Sequence, residues 1–124
     1  MLPLRSDPKS IVLCADDYAL NESVSQGIVD LASRQRLSAT SVMTLSPLWP
    51  QHAPALRELR GAIDVGLHLD WTSEFAQHAG WGQTLGAVMW QSFTGGFELE
   101  RVREAMERQF DAFEKAWHAP PDHV

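Results

Sequence analysis

Two rhythms of apolar and polar positions run through the chain. Ile11-Val12-Leu13-Cys14-Ala15 is a continuous apolar run that stops at Asp16-Asp17, the pattern of a buried first strand. From Asn21 to about Arg36, Val24, Ile28, Leu31 and Ala32 recur at helical spacing, with Asn21 suited to the N-cap and Arg34 and Arg36 to the negative end. The β-branched segment Ala39 to Leu45, bounded by Ser46-Pro47, predicts a second strand. Trp49 to Leu59 predicts a second helix with Pro50 or Pro54 near its first turn, and Gly61 stops it. In Ile63 to Asp70 the parity is strict: Ile63, Val65, Leu67 and Leu69 face one way, Asp64, Gly66, His68 and Asp70 the other. That is a third strand with a polar side.

From Thr72 to Gly96 the periodicity lapses and glycines recur, so 72–96 is expected to be a loop or lid inserted in the fold. Glu98 to Trp117 is the strongest helix, with Leu99, Val102, Met106, Phe110, Phe113 and Trp117 on one face. Pro120-Pro121 then turns the chain into what reads as the start of a fourth strand. Strands alternating with helices predict an α/β fold of parallel βαβ units, part of a TIM-barrel-like architecture, with ligands at the C-terminal strand ends. The expected organisation is one domain over 1–124 with a flexible leader at 1–9. The last helix lacks a full strand after it, so the chain reads as the truncated front of a longer fold, or one that a partner completes.

Composition narrows the function. With 10 Lys+Arg against 16 Asp+Glu, the chain carries a formal charge of -6 and has no basic stripe for a phosphate backbone, so no nucleic-acid partner is expected. Cys14 is the single cysteine and excludes an intramolecular disulfide. No run approaches the roughly 20 apolar residues of a membrane span, and the first eight residues lack the apolar centre of a signal peptide; no membrane partner and a cytoplasmic location are the expectations.

The candidate chemistry sits at two predicted strand ends. Asp16 and Asp17 are adjacent carboxylates whose mutual repulsion a bound cation would relieve; one would ligate the ion and the other act as general base. The plain alternative is an Asx-turn or a helix cap. His68 lies on the polar parity of the third strand with Asp70, and an imidazole beside carboxylates suits a divalent metal, although a lone strand histidine is more often structural. Trp71, Trp81 and Trp90 fall in one stretch and would either line a ligand groove or cover a core edge. His78 lies in the same stretch and reads as solvent-exposed.

Three ordered blocks carry a family resemblance. Cys14-Ala15-Asp16-Asp17-Tyr18-Ala19-Leu20-Asn21, Thr40-Ser41-Val42-Met43 and Val65-Gly66-Leu67-His68-Leu69 resemble the YdjC-like carbohydrate deacetylases, which include chitooligosaccharide and hopanoid-biosynthesis-associated deacetylases. The resemblance runs from Ile11 to the Pro121-Asp122-His123-Val124 terminus. It implies a metal-dependent hydrolase that removes the acetyl group of an N-acetylated mono- or oligosaccharide. Asp16 would be the catalytic base, Asp17 and His68 ligands of one divalent ion, Mg or Zn, and Trp71, Trp81 and Trp90 substrate-binding residues.

Departures from the family pattern accompany it. Cys14 stands where Asn is usual, Tyr18 where Phe is, Ala19 where Gly is, and Asp70 where a small residue is common. A further histidine ligand would belong to an Asp-Gly-His-Gln-His stretch following His123-Val124, where the chain ends, so a second copy or a completing segment is an expected partner. His123 does not match a ligand position. Two other readings stand beside the deacetylase: a non-catalytic carbohydrate-binding or assembly fragment, and another metal hydrolase such as a NodB-type deacetylase or a phosphoesterase. No nucleotide-binding glycine motif is present.

Overall fold

The computed structural model describes residues 9–124; most of the expected leader lies outside the described residues. Three strands, β1 (Cys14–Tyr18), β2 (Ala39–Val42) and β3 (Asp64–Leu67), form a parallel sheet in the order β1-β2-β3. Helix α1 (Glu22–Ser33) links β1 to β2, and α2 (Trp49–Arg57) links β2 to β3. After β3 come two short helices, α3 (Glu74–His78) and α4 (Leu85–Thr94), and then α5 (Leu99–Trp117). The expected α/β class with parallel βαβ units is therefore present. The sheet is open rather than closed into a barrel, the arrangement of one sector of a TIM-barrel-like fold.

The two faces of the sheet differ. On the helix side Tyr18, Val42, Val65 and Leu67 are buried against Ile28, Trp49, Leu56, Phe113 and Trp117. Trp49 stacks on Phe113 at 5.7 Å and donates its indole N–H to Ala112 O at 3.0 Å, which fixes α5 against α2. Truncating such a buried aromatic typically costs about 3–5 kcal/mol. Arg60 lies 4.4 Å from the Trp117 ring and closes the far end of the same layer. The opposite face carries Cys14, Asp16, Ser41 and Gly66, which are small or polar residues.

Local signals act as expected in α1, where Asn21 Oδ1 accepts from Val24 N at 2.9 Å. Pro50 lies in the first turn of α2, while Pro54 is internal. Elsewhere the structure corrects the sequence reading. The apolar run Ile11 to Leu13 is not a buried strand: these residues are 82%, 74% and 54% exposed, and the strand begins at Cys14. Leu13 is tied to Ser38, just before β2, but among the described residues no second layer covers the run. The segment expected as a loop holds α3 and α4, capped by Ser73 and Thr84, with Gly95 in the left-handed region at the end of α4. Helix α3 is too short to show a period, and α4, apolar on most sides and without a buried residue, shows no polar face to set one off. On α5 the buried stripe is Ala105, Gln109, Phe113 and Trp117, whereas Leu99 is 78% exposed. The stripe is rotated because Gln109 spans Asp70, its Oε1 accepting from Asp70 N at 2.7 Å and its Nε2 donating to Asp70 O at 3.1 Å.

The chain end joins the sheet edge. Asp122 N donates to Val65 O at 3.0 Å, Leu67 N to His123 O at 2.9 Å, and Val65 N to the Asp122 carboxylate at 2.8 Å. These bonds lay the last residues alongside β3, as the expected fourth-strand start requires.

Candidate metal and catalytic site

The site begins with a break in β1. A regular strand sends neighbouring side chains to opposite faces, which would separate Asp16 from Asp17. Here the β1-β2 register shifts between Ala15 and Tyr18, and Asp17 takes φ 66°. This bulge turns both carboxylates toward β2 and β3. The following residue pair is held in place from behind: Ala19, at φ 73°, donates its N–H to Ser25 Oγ at 3.1 Å and accepts from Ser46 Oγ at 2.6 Å. Hydroxyl groups on α1 and after β2 thus stabilise a left-handed turn that alanine resists.

Asp16 and His68 meet through Ser41 on β2. The Ser41 hydroxyl donates to Asp16 Oδ1 at 2.8 Å, and its oxygen lies 3.3 Å from His68 Nδ1. Since Ser41 has a single proton, that pattern has His68 donating from Nδ1 and keeping its lone pair on Nε2. His68 Nδ1 is also 3.6 Å from Asp17 Oδ1. The adjacent carboxylates at a strand end pointed to Asp16 and Asp17 and strand parity to His68, but neither signal marked Ser41, which lies opposite Gly66 in the β2-β3 ladder.

A second group adjoins the first. Cys14 Sγ points to Asp16 Oδ1 at 3.6 Å and lies 3.8 Å from His123 Nε2. The Cys14 thiol pKa is raised from its ordinary value, first by partial burial and then by the neighbouring Asp16 carboxylate. The His123 ring crosses directly over Gly66, where any Cβ would collide with it. Gly66 is thereby explained by a close approach rather than by its backbone angles.

Asp70 does not join this cluster. It is 4% exposed, its carboxylate accepts from the Ser73 N–H at 3.1 Å and from the Ser73 hydroxyl, and it supports the start of α3. Trp71 and Trp81 line one cavity, and Trp90 is 70% exposed on α4. His78 is exposed, with Nδ1 2.7 Å from Glu74 O.

The donor chemistry fits a divalent cation at two positions. The 3.6 Å contact to Asp17 is made by the protonated Nδ1, so the lone pair His68 would offer an ion is that of Nε2. Among the described residues, no group of three His, Cys, Asp or Glu side chains has the arrangement of a metal site. By themselves Asp17 and His68 would be an incomplete donor set.

The pattern now extends to known proteins, with a match to the family described as YdjC-like protein over residues 10–124. The chain belongs to that family. It is 26% identical over 126 residues to a chitooligosaccharide deacetylase of Serratia marcescens, covering 94% of this chain and 48% of that protein. It is also 26% identical over 122 residues to a chitooligosaccharide deacetylase of Yersinia pestis (strain Pestoides F), with the same coverage. The YdjC-like chain thus spans about half the length of these curated relatives. A crystal structure from Enterococcus faecalis V583, described as a candidate cellobiose-phosphate cleavage protein, superposes with a TM-score of 0.71. It shares 22% identity and covers 91% of this chain and 46% of the other, a likeness of fold.

Proposed function

We propose that this YdjC-like chain contributes the base and two metal donors of a hydrolase that removes acetyl groups from an N-acetylated carbohydrate. The observation that supports it most directly is the bulge in β1, which brings Asp16 and Asp17 to Ser41 and His68 on one sheet face. A structural Asp pair needs no such convergence.

Asp17 and His68 would hold the ion, with a third donor from outside the described residues. When bound, the ion supplies Lewis-acid polarisation of the acetyl carbonyl and lowers the pKa of water. Asp16 is the general base. Its Oδ1 is engaged by the Ser41 hydroxyl, which leaves Oδ2 to take the proton of the attacking water. Ser41 is a positioning residue, because it fixes the Asp16 carboxylate plane while also meeting His68.

The test is acetate release from N-acetylglucosamine oligomers, with Mg or Zn added, by this chain joined to the segment that supplies the third donor, since the chain alone is expected to be inactive. Wild type should release acetate only with metal, and Asp16→Asn should lower the rate by about 10²–10⁴-fold while retaining the fold. Metal-independent release, or release from Asp16→Asn at the wild-type rate, would refute the assignment. The two-donor set favours one second reading, carbohydrate binding without catalysis. Oligosaccharide binding that persists in EDTA, with no acetate released at any metal concentration, would establish that reading instead.

A further inference from the structure

Cys14 and His123 meet beside the candidate site without a part in it. Cys14 opens β1, and His123 reaches it from the opposite edge of the sheet: Leu67 N donates to His123 O at 2.9 Å, which fixes the chain end beside β3, and the imidazole then crosses the bare Cα of Gly66. The ring ends with Nε2 3.8 Å from Cys14 Sγ. A thiol and an imidazole so placed are a pair of strong metal donors.

The spacing suits one ion. Sulfur about 2.3 Å and nitrogen about 2.0 Å from a tetrahedral centre stand roughly 3.5 Å apart, so a small movement of either side chain closes the pair on a cation. Both donors are accessible, Cys14 being exposed and His123 half-buried. Among the described residues the His123 ring makes no other hydrogen bond, so nothing holds a proton on Nε2. The surroundings favour positive charge. Asp16 Oδ1 lies 3.6 Å from Cys14 Sγ, Asp17 follows it, and the whole chain carries a formal charge of -6. Asp16 acts here as a neighbouring charge rather than a ligand, because Ser41 already donates to the same oxygen and no three-residue metal cluster exists among the described residues.

We infer that Cys14 and His123 form a second cation site, for a soft, thiophilic ion that binds through Cys14 Sγ and His123 Nε2 and keeps water in its remaining positions. Sulfur sets the selectivity. Thiolate favours soft ions, whereas Asp17 and His68 offer oxygen and nitrogen, a set for harder ones. As the sulfur–metal bond forms, the thiol proton leaves to solvent and no electron is transferred. An ion so placed would lie against Asp16 and weaken it as a base; that consequence rests on the proposed function, and the site itself does not.

The experiment is a titration of the whole chain with Cd(II), followed by the thiolate-to-cadmium charge-transfer absorbance, which only a sulfur-bound ion produces. Expected are a band that saturates with one ion per chain and its loss in Cys14→Ser. His123→Phe keeps a ring over Gly66 and removes both nitrogens. Its band should persist at saturation with a midpoint raised about tenfold or more, since even outer-shell changes at metal sites cost about 10–100-fold. His123→Ala should behave alike and guards against a folding defect in His123→Phe, as circular dichroism will show. His68→Ala should titrate as wild type does. Absence of the band in wild type, or a wild-type midpoint in both folded His123 variants, overturns the inference. Loss of the band in His68→Ala also overturns it, because the ion would then belong to the candidate site. A Cd(II) site that forms as expected while acetate release fails refutes only the proposed function.

Discussion

His68 Nδ1 stands 3.6 Å from Asp17 Oδ1, two side chains from opposite edges of the three-stranded sheet. Only because β1 is bulged does Asp17 face across β2 at all. If the pair binds a cation, Asp17→Ala and His68→Ala should each weaken Zn binding by at least about tenfold in isothermal titration, since even outer-shell changes at metal sites cost about 10–100-fold. Equal affinity in the wild type and both variants would remove the pair from any metal site.

Cys14 offers an independent probe of the Asp16 charge. Its pKa is raised by partial burial and then by the Asp16 carboxylate, so less thiolate exists at a given pH than for a free cysteine. Iodoacetamide labelling of Cys14 should therefore be slow near pH 8 and faster in Asp16→Asn, with its rate profile moved to lower pH. The gain should be modest, because burial is the larger cause and remains. A slower reaction in Asp16→Asn would contradict this electrostatic account.

Gly66 and His123 form a test of how the chain end docks. A methyl at position 66 meets the His123 ring, so Gly66→Ala should destabilise the chain by about 1–3 kcal/mol in urea denaturation. His123→Ala removes the obstacle. The double variant Gly66→Ala/His123→Ala should lie closer to His123→Ala than the single changes predict, a coupling of opposite sign to the clash. Simple additivity would mean that the ring does not rest there in solution.

Ala19 and Ala32 are both buried, yet they should respond differently to glycine. At Ala19, φ is 73°, and relief of about 1–2 kcal/mol of left-handed strain offsets the lost methyl and the added chain entropy. Ala19→Gly is expected to lie within about 1 kcal/mol of wild type. Ala32 is in α1, where the helix penalty of about 1 kcal/mol adds to the lost packing, so Ala32→Gly should cost about 1–2 kcal/mol. Thermal denaturation of both variants gives the comparison.

The elements that were legible in the sequence are those specified locally. The alternation through Ile63 to Leu69 placed β3 and the polar parity of His68, and Asn21 marked the start of α1 through the bond it makes. The family was legible in three short blocks. What escaped was set by contacts across the fold. Nothing in Asp16-Asp17 announces a bulge, because it depends on pairing with β2 and on the Ser25 and Ser46 hydroxyls. Asp70 shared the His68 parity, but beyond Leu67 the strand has ended and Gln109 draws residue 70 inward. Ser41 was in plain view as part of a block, and only its position opposite Gly66 shows what it joins.

Helix α4 has no buried residue, and its Leu85, Met89, Trp90 and Phe93 side chains meet water. A ten-residue helix without packing support is near the limit of what persists in water. Its amides should accordingly exchange with deuterium sooner than those of α5, whose Phe113 and Trp117 anchor it to the sheet.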